Sequence, residues 1–99
     1  MSGTRNRLLV CYDVRDPGRL RRTHDTMLGY GDPLQYSVFV CALSPTERML
    51  MEDAILRVVK VWEDSIAIVD LGPARSDPDK RIRTLGQGGL PAPTRYRIV

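Results

Sequence analysis

The chain has no apolar run approaching the ~20 residues that a membrane span needs, and nothing in it reads as a transmembrane helix. The opening "MSGTRNRLLVCYDVRD" sets basic residues before a short apolar run. That run is about half the length of a secretion signal's core and ends on an acidic residue, so it reads as a strand. A cytoplasmic location is expected. Cysteine is scarce: Cys11 and Cys41 both lie in apolar, strand-like runs without CxxC or Cys/His spacing. This pattern speaks against a zinc module and a disulfide framework and for two reduced, largely buried thiols. No motif of a small-molecule pocket is present, which weakens a third class of function, the ferredoxin-like ligand-binding regulator.

Lysine is also nearly missing. Of 15 basic residues 13 are Arg, and Arg5, Arg7, Arg15, Arg19, Arg21 and Arg22 fall within the first 22 positions. The net charge is +3 and the pI about 9.2. Guanidinium forks match phosphate oxygens bidentately, so a clustered arginine excess points to a polyanion. Arg15, Arg19 and Arg22 lie near one another at the start of a predicted helix. They either track a phosphate backbone or form a solvated face. Tyr12 and Phe39 are aromatics that can stack on bases or pack in the core.

The 99 residues make one small domain, for which pairing with a second copy is a natural way to gain burial. With 42% apolar and 27% charged residues the composition is that of a globular protein. "LLVCYDV", 8–14, reads as a central strand buried on both faces. Asp16-Pro17 opens a helix over about 17–28, with Asp as N-cap and Pro at the first position, and Gly29 and Gly31 supply its stop. "LQYSVFVCAL", 34–43, alternates without a Gly or Pro to mark a turn and reads as one strand, straight or kinked. "SPTE", 44–47, is a capping box. The helix it opens carries Met51, Ala54, Ile55, Val58 and Trp62 as an apolar stripe to about residue 62. "DSIAIVDL", 64–71, is a further strand and "RIRTLG", 81–86, a short strand candidate.

Two helices over one sheet make an α+β sandwich, and the ferredoxin-like plan fits best. Residues 1–86 form the predicted domain and 87–93 a linker. Residues 94–99, with Tyr96 and Ile98, form a C-terminal strand suited to pairing with a partner subunit's exposed edge.

Of the two aspartates in "YDVRD", Asp16 is explained by capping. Asp13 is explained by neither a cap nor the core. A carboxylate at the end of a strand is a common way to place a metal ligand on a rigid element, and the alternative is a turn hydrogen bond. One carboxylate makes a poor Mg²⁺ site, and a twofold dimer would supply a second. His24, the one imidazole, can serve as a general base. It shares a helix face with Leu20, Met27 and Leu28 and reads as a boundary residue.

"YDVRD" (12–16), Arg19, "GYG" (29–31), "QYSVF" (35–39), "EDSI" (63–66), "TLG" (84–86) and the terminal "YRIV" together resemble the CRISPR-associated protein family two (Cas-two), from about residue 8 onward. The resemblance implies a ferredoxin-like homodimer whose C-terminal strand joins the partner's sheet, with an extra strand around "QYSVF". It implies Asp13 as the Mg²⁺ ligand and catalytic residue of a metal-dependent endonuclease acting on RNA or DNA. It also implies partnership with the integrase subunit, Cas-one, in spacer integration, where a non-catalytic adaptor role is the alternative. Pro33 and Val40 depart from the family's pattern, where a basic residue and a Glu are common.

Overall fold

In the computed structural model, residues 4–75 and 81–87 are described. Six elements follow one another: β1 (Asn6–Asp13), α1 (Pro17–Met27), β2 (Gly31–Gln35), β3 (Val38–Leu43), α2 (Pro45–Leu56) and β4 (Ser65–Pro73). The sheet order is β2-β3-β1-β4, and each neighbouring pair is antiparallel. This is the ferredoxin-like α+β sandwich that the sequence predicts. Among the described residues no helix is long and apolar enough to cross a membrane.

The strands alternate because successive side chains point to opposite faces. Leu8, Val10 and Tyr12 of β1 and Phe39, Cys41 and Leu43 of β3 are buried. They meet Met27 of α1 and Met51 and Ile55 of α2 in one core. The other face carries Leu9, Cys11, Val38 and Val40 half-buried, and Ala42, Ala67 and Val69 exposed. A β1 buried on both faces is therefore not what one chain contains. Its second face is apolar yet open. Neither cysteine is in a disulfide; Cys41 lies in the core and Cys11 on the open face.

Local signals place both helix starts. The Asp16 carboxylate accepts the Arg19 N–H at 2.8 Å, with Pro17 behind it. Ser44 and Glu47 satisfy each other's backbone N–H groups. The Glu47 carboxylate also takes both arms of the Arg5 guanidinium at 2.9 Å, which fastens the start of α2 to the segment entering β1.

Three expectations are corrected. The run 34–43 is not one strand but part of a hairpin. β2 begins at Gly31, the chain turns at Tyr36–Ser37, and β3 returns from Val38. Pro33 is tolerated because β2 is an edge strand with an irregular register there. Gly31 is required by close approach, since a Cβ would lie 2.5 Å from Cys41 Sγ and 2.6 Å from the Val40 carbonyl oxygen. Second, α2 ends at Leu56 rather than near 62. The Lys60 N–H, which a continuing helix would point at the Leu56 carbonyl, donates to Asp64 Oδ2 at 2.9 Å. Trp62 is consequently 76% exposed instead of on the buried stripe. Third, residues 81–86 form a turn and irregular chain rather than a strand, with Gly86 at φ +85°. The expected strand 94–99, with Tyr96 and Ile98, and all of the linker except Gln87 lie outside the described residues.

Candidate nucleic-acid and metal site

Asp13 is the last residue of β1, paired with Ser65 of β4. It is exposed, and its carboxylate has no hydrogen-bond or salt-bridge partner among the described residues. By alternation it shares the open face with Leu9 and Cys11. The turn hydrogen bond that would have explained it structurally is not made.

The loop after Asp13 is held by a different carboxylate. Asp64 has no exposed side-chain surface and accepts four hydrogen bonds. They come from the Arg15 N–H at 3.0 Å, the Lys60 N–H at 2.9 Å, Arg19 Nε at 2.9 Å and Arg19 Nη2 at 3.0 Å. The Arg19 guanidinium, foremost, and the two backbone N–H groups hold its carboxyl well below the usual carboxylate range. A buried charge pair is tolerable when its hydrogen-bonding capacity is met in this way. Asp64 thus ties the β1–α1 loop, the first turns of α1 and the entry to β4 into one unit directly behind Asp13.

That arrangement reassigns Arg19. It is 7% exposed, and besides Asp64 it donates to Glu63 at 3.1 Å. Its hydrogen bonds to the two carboxylates raise its pKa further above the usual arginine value. A guanidinium consumed in the interior is a structural strut, not a phosphate ligand. Arg15 and Arg22 are exposed and form no side-chain salt bridge among the described residues, and Arg21 matches them. Arg22 helps to hold the Asp16 carboxyl below its ordinary pKa, a shift owed first to the Arg19 N–H.

Tyr12 is also reassigned. It is buried beside Phe39, ring centroids 6.3 Å apart, and its hydroxyl donates to the Tyr36 carbonyl at 2.9 Å. Burial pushes its pKa up to about 12. Neither Tyr12 nor Phe39 presents a ring to a base. His24 Nδ1–H donates to the same Tyr36 carbonyl at 2.8 Å, which fixes the imidazole against the β2–β3 turn. Asp64, which positions the loop after Asp13, is absent from the residues the sequence singles out as site candidates. Asp64 had a visible signal, an acid just before an alternating apolar strand with neither a cap nor a core to explain it.

Among the described residues no three His, Cys, Asp or Glu side chains gather to hold a metal. Asp13 offers one hard, unpartnered oxygen donor on a rigid strand end. That fits one half of a Mg²⁺ site and requires a second donor from another copy.

The class the structure defines is a small antiparallel α+β sandwich with an exposed, unpartnered carboxylate closing its first strand and exposed arginines in the loop and helix that follow. The family model described as CRISPR associated protein Cas2 matches residues 6–77. The chain is 36% identical over 86 residues to the CRISPR-associated endoribonuclease Cas2 1 of Rhodospirillum rubrum, covering 87% of this chain and 83% of that protein. It is 46% identical over 68 residues to the Geobacter sulfurreducens CRISPR-associated endoribonuclease Cas2, covering 69% and 72%. The crystal structure of Streptococcus pyogenes Cas2 superposes with a TM-score of 0.71 at 32% identity, covering 81% of this chain and 99% of that one. The chain belongs to the CRISPR-associated Cas2 family.

Proposed function

We propose that the protein acts in CRISPR adaptation as a nucleic-acid-binding homodimer, in which two copies of Asp13 meet across a twofold axis as a magnesium-dependent endonuclease site. The observation that carries this reading is the placement of Asp13, exposed and unpartnered, on the open apolar face of the sheet. Leu9, Cys11, Val38 and Val40 on that face lose solvent contact only against another surface. A twofold interface is self-complementary, so a second copy supplies both the missing apolar cover and a second Asp13. The word endoribonuclease in the relatives' names supports the enzymatic reading.

Within that assembly Asp13 binds and orients. Its backbone is held in the β1–β4 ladder, and Asp64 fixes the loop that follows through the Arg15 N–H. A Mg²⁺ ion held between the two carboxylates would activate water and offset charge developing on a phosphodiester. Arg15, Arg21 and Arg22 take the phosphates of the RNA or DNA backbone.

A second reading is the non-catalytic adaptor that joins DNA to the integrase subunit Cas-one. It is favoured by the lone carboxylate that each chain brings, since among the described residues no three metal-ligating side chains gather. Asp13→Asn separates the two. Under the first reading Mg²⁺ affinity and phosphodiester cleavage fall by orders of magnitude, while the fold and salt-dependent nucleic-acid binding persist. Cleavage at the wild-type rate by this variant refutes the catalytic role, and continued spacer acquisition in cells selects the adaptor.

A further inference from the structure

With Tyr12 and Phe39 in the core, the aromatic ring exposed near the helix face is a third one. Tyr36 forms the turn between β2 and β3 and is 52% exposed. Its ring lies flat on the His24 imidazole, with centroids 4.1 Å apart and planes 5° from parallel. His24 in turn meets Phe39 edge-on at 5.2 Å, and Phe39 is fully buried. The Tyr36 carbonyl accepts from both the Tyr12 hydroxyl and His24 Nδ1–H. The Tyr12 N–H donates to the Ser37 carbonyl at 3.0 Å. Backbone and ring of Tyr36 are therefore both fixed from below, through a chain of contacts that ends in the core.

One face of the ring is covered by the imidazole, and Tyr36 as a whole keeps 52% of its surface exposed. Trp62 is more exposed, but it makes no ring contact among the described residues. Arg21 stands three residues before His24 on α1, a spacing that puts both on one helix face. It is exposed and forms no salt bridge among the described residues.

We infer that the outer face of Tyr36 is a stacking platform for an unpaired nucleobase, backed by His24, with Arg21 on the same side to take the neighbouring phosphate. The inference rests on the nucleic-acid-binding reading above and adds to it a preference for single-stranded segments or open ends. Every base has a π-face, so the platform is tolerant of sequence. A ring already held by its support loses little rotamer freedom on binding, which is where preorganised contacts gain affinity. Bases within a blunt duplex have no free face to offer and gain nothing from it.

The test is fluorescence anisotropy with a labelled single-stranded oligonucleotide and a blunt duplex of the same sequence, using wild type, Tyr36→Ala, Tyr36→Leu and Tyr36→Phe. Leu keeps apolar bulk on His24 without a π-face, so it serves if the Ala variant fails to fold. Losing a stacked base is expected to weaken single-strand binding roughly 5- to 150-fold in the Ala and Leu variants. Duplex binding stays the same, and Phe behaves as wild type. The salt slope for the single strand is expected to stay unchanged, because stacking releases no counterions. Equal losses on both probes, undiminished binding by the Leu variant, or a change of oligomeric state in place of affinity each overturn the inference and leave the broader reading standing. Wild type that binds neither probe overturns both.

Discussion

Four arginines crowd positions 15–22, and the structure divides them sharply enough to predict how each responds to salt. Arg19 is spent on Asp64 and Glu63. Arg15, Arg21 and Arg22 are exposed and form no side-chain salt bridge among the described residues. A phosphate contact on duplex DNA contributes about 0.9 to the slope of log affinity against log salt. Replacing Arg15, Arg21 and Arg22 together by Ala should flatten that slope by about 2.7 for one engaged chain. Over a fourfold rise in salt this corresponds to roughly 40-fold less loss of affinity than wild type suffers. Arg19→Ala should leave the slope alone. It should instead lower the melting temperature, because it strands the Asp64 carboxylate without its guanidinium in the interior. Anisotropy titrations across a salt series, with a thermal melt of each variant, make the comparison. A slope that flattens as much for Arg19→Ala as for Arg22→Ala would refute the division, and so would an unchanged slope in the triple variant.

The open face of the sheet gives a second prediction. Leu9→Glu should keep the single-chain fold, since Leu9 lies outside the helix-side core. It should raise the dimer's dissociation constant at least ~100-fold, because burying an unpaired carboxylate costs several kcal/mol. Light scattering that shows an undiminished dimer would remove this face from the interface. Acid stability offers a third. The Arg5 guanidinium, foremost, and the Ser44 N–H hold the Glu47 carboxyl at about 2, down from 4.5. The folded chain therefore stays ionised where the unfolded chain takes up a proton. Its contribution is complete above about pH 4.5 and is lost as pH falls towards about 2. Melting temperatures of Glu47→Gln should lie below wild type at neutral pH and converge with it in acid; parallel curves would show that the Arg5–Glu47 pair contributes nothing.

The sequence determined those features whose causes lie within a few residues. Asp16-Pro17 and Ser44-Pro45 place both helix starts because caps satisfy backbone N–H groups one turn away. Uninterrupted runs of β-formers give β1 and β4, and the position of Asp13 at the end of β1 follows from where the apolar run stops. The hairpin at Tyr36–Ser37 does not show in the local pattern, and only the resemblance implies it, because no Gly or Pro marks the turn. Its carbonyls are pinned by Tyr12 and His24, which lie 24 and 12 residues away from Tyr36 in the chain. α2 was read too long for the same kind of reason, since Asp64 captures an N–H that local periodicity would have kept in the helix. Arginines 15, 19, 21 and 22 look alike in a string of letters. Only the tertiary structure, by bringing Asp64 and Glu63 from more than 40 positions away, decided that one of them is a strut and left the others facing water. Backbone capping is local chemistry and can be read locally. Charge pairing in an interior depends on which distant segments the fold brings within hydrogen-bonding distance, and that is settled only when the whole chain has packed.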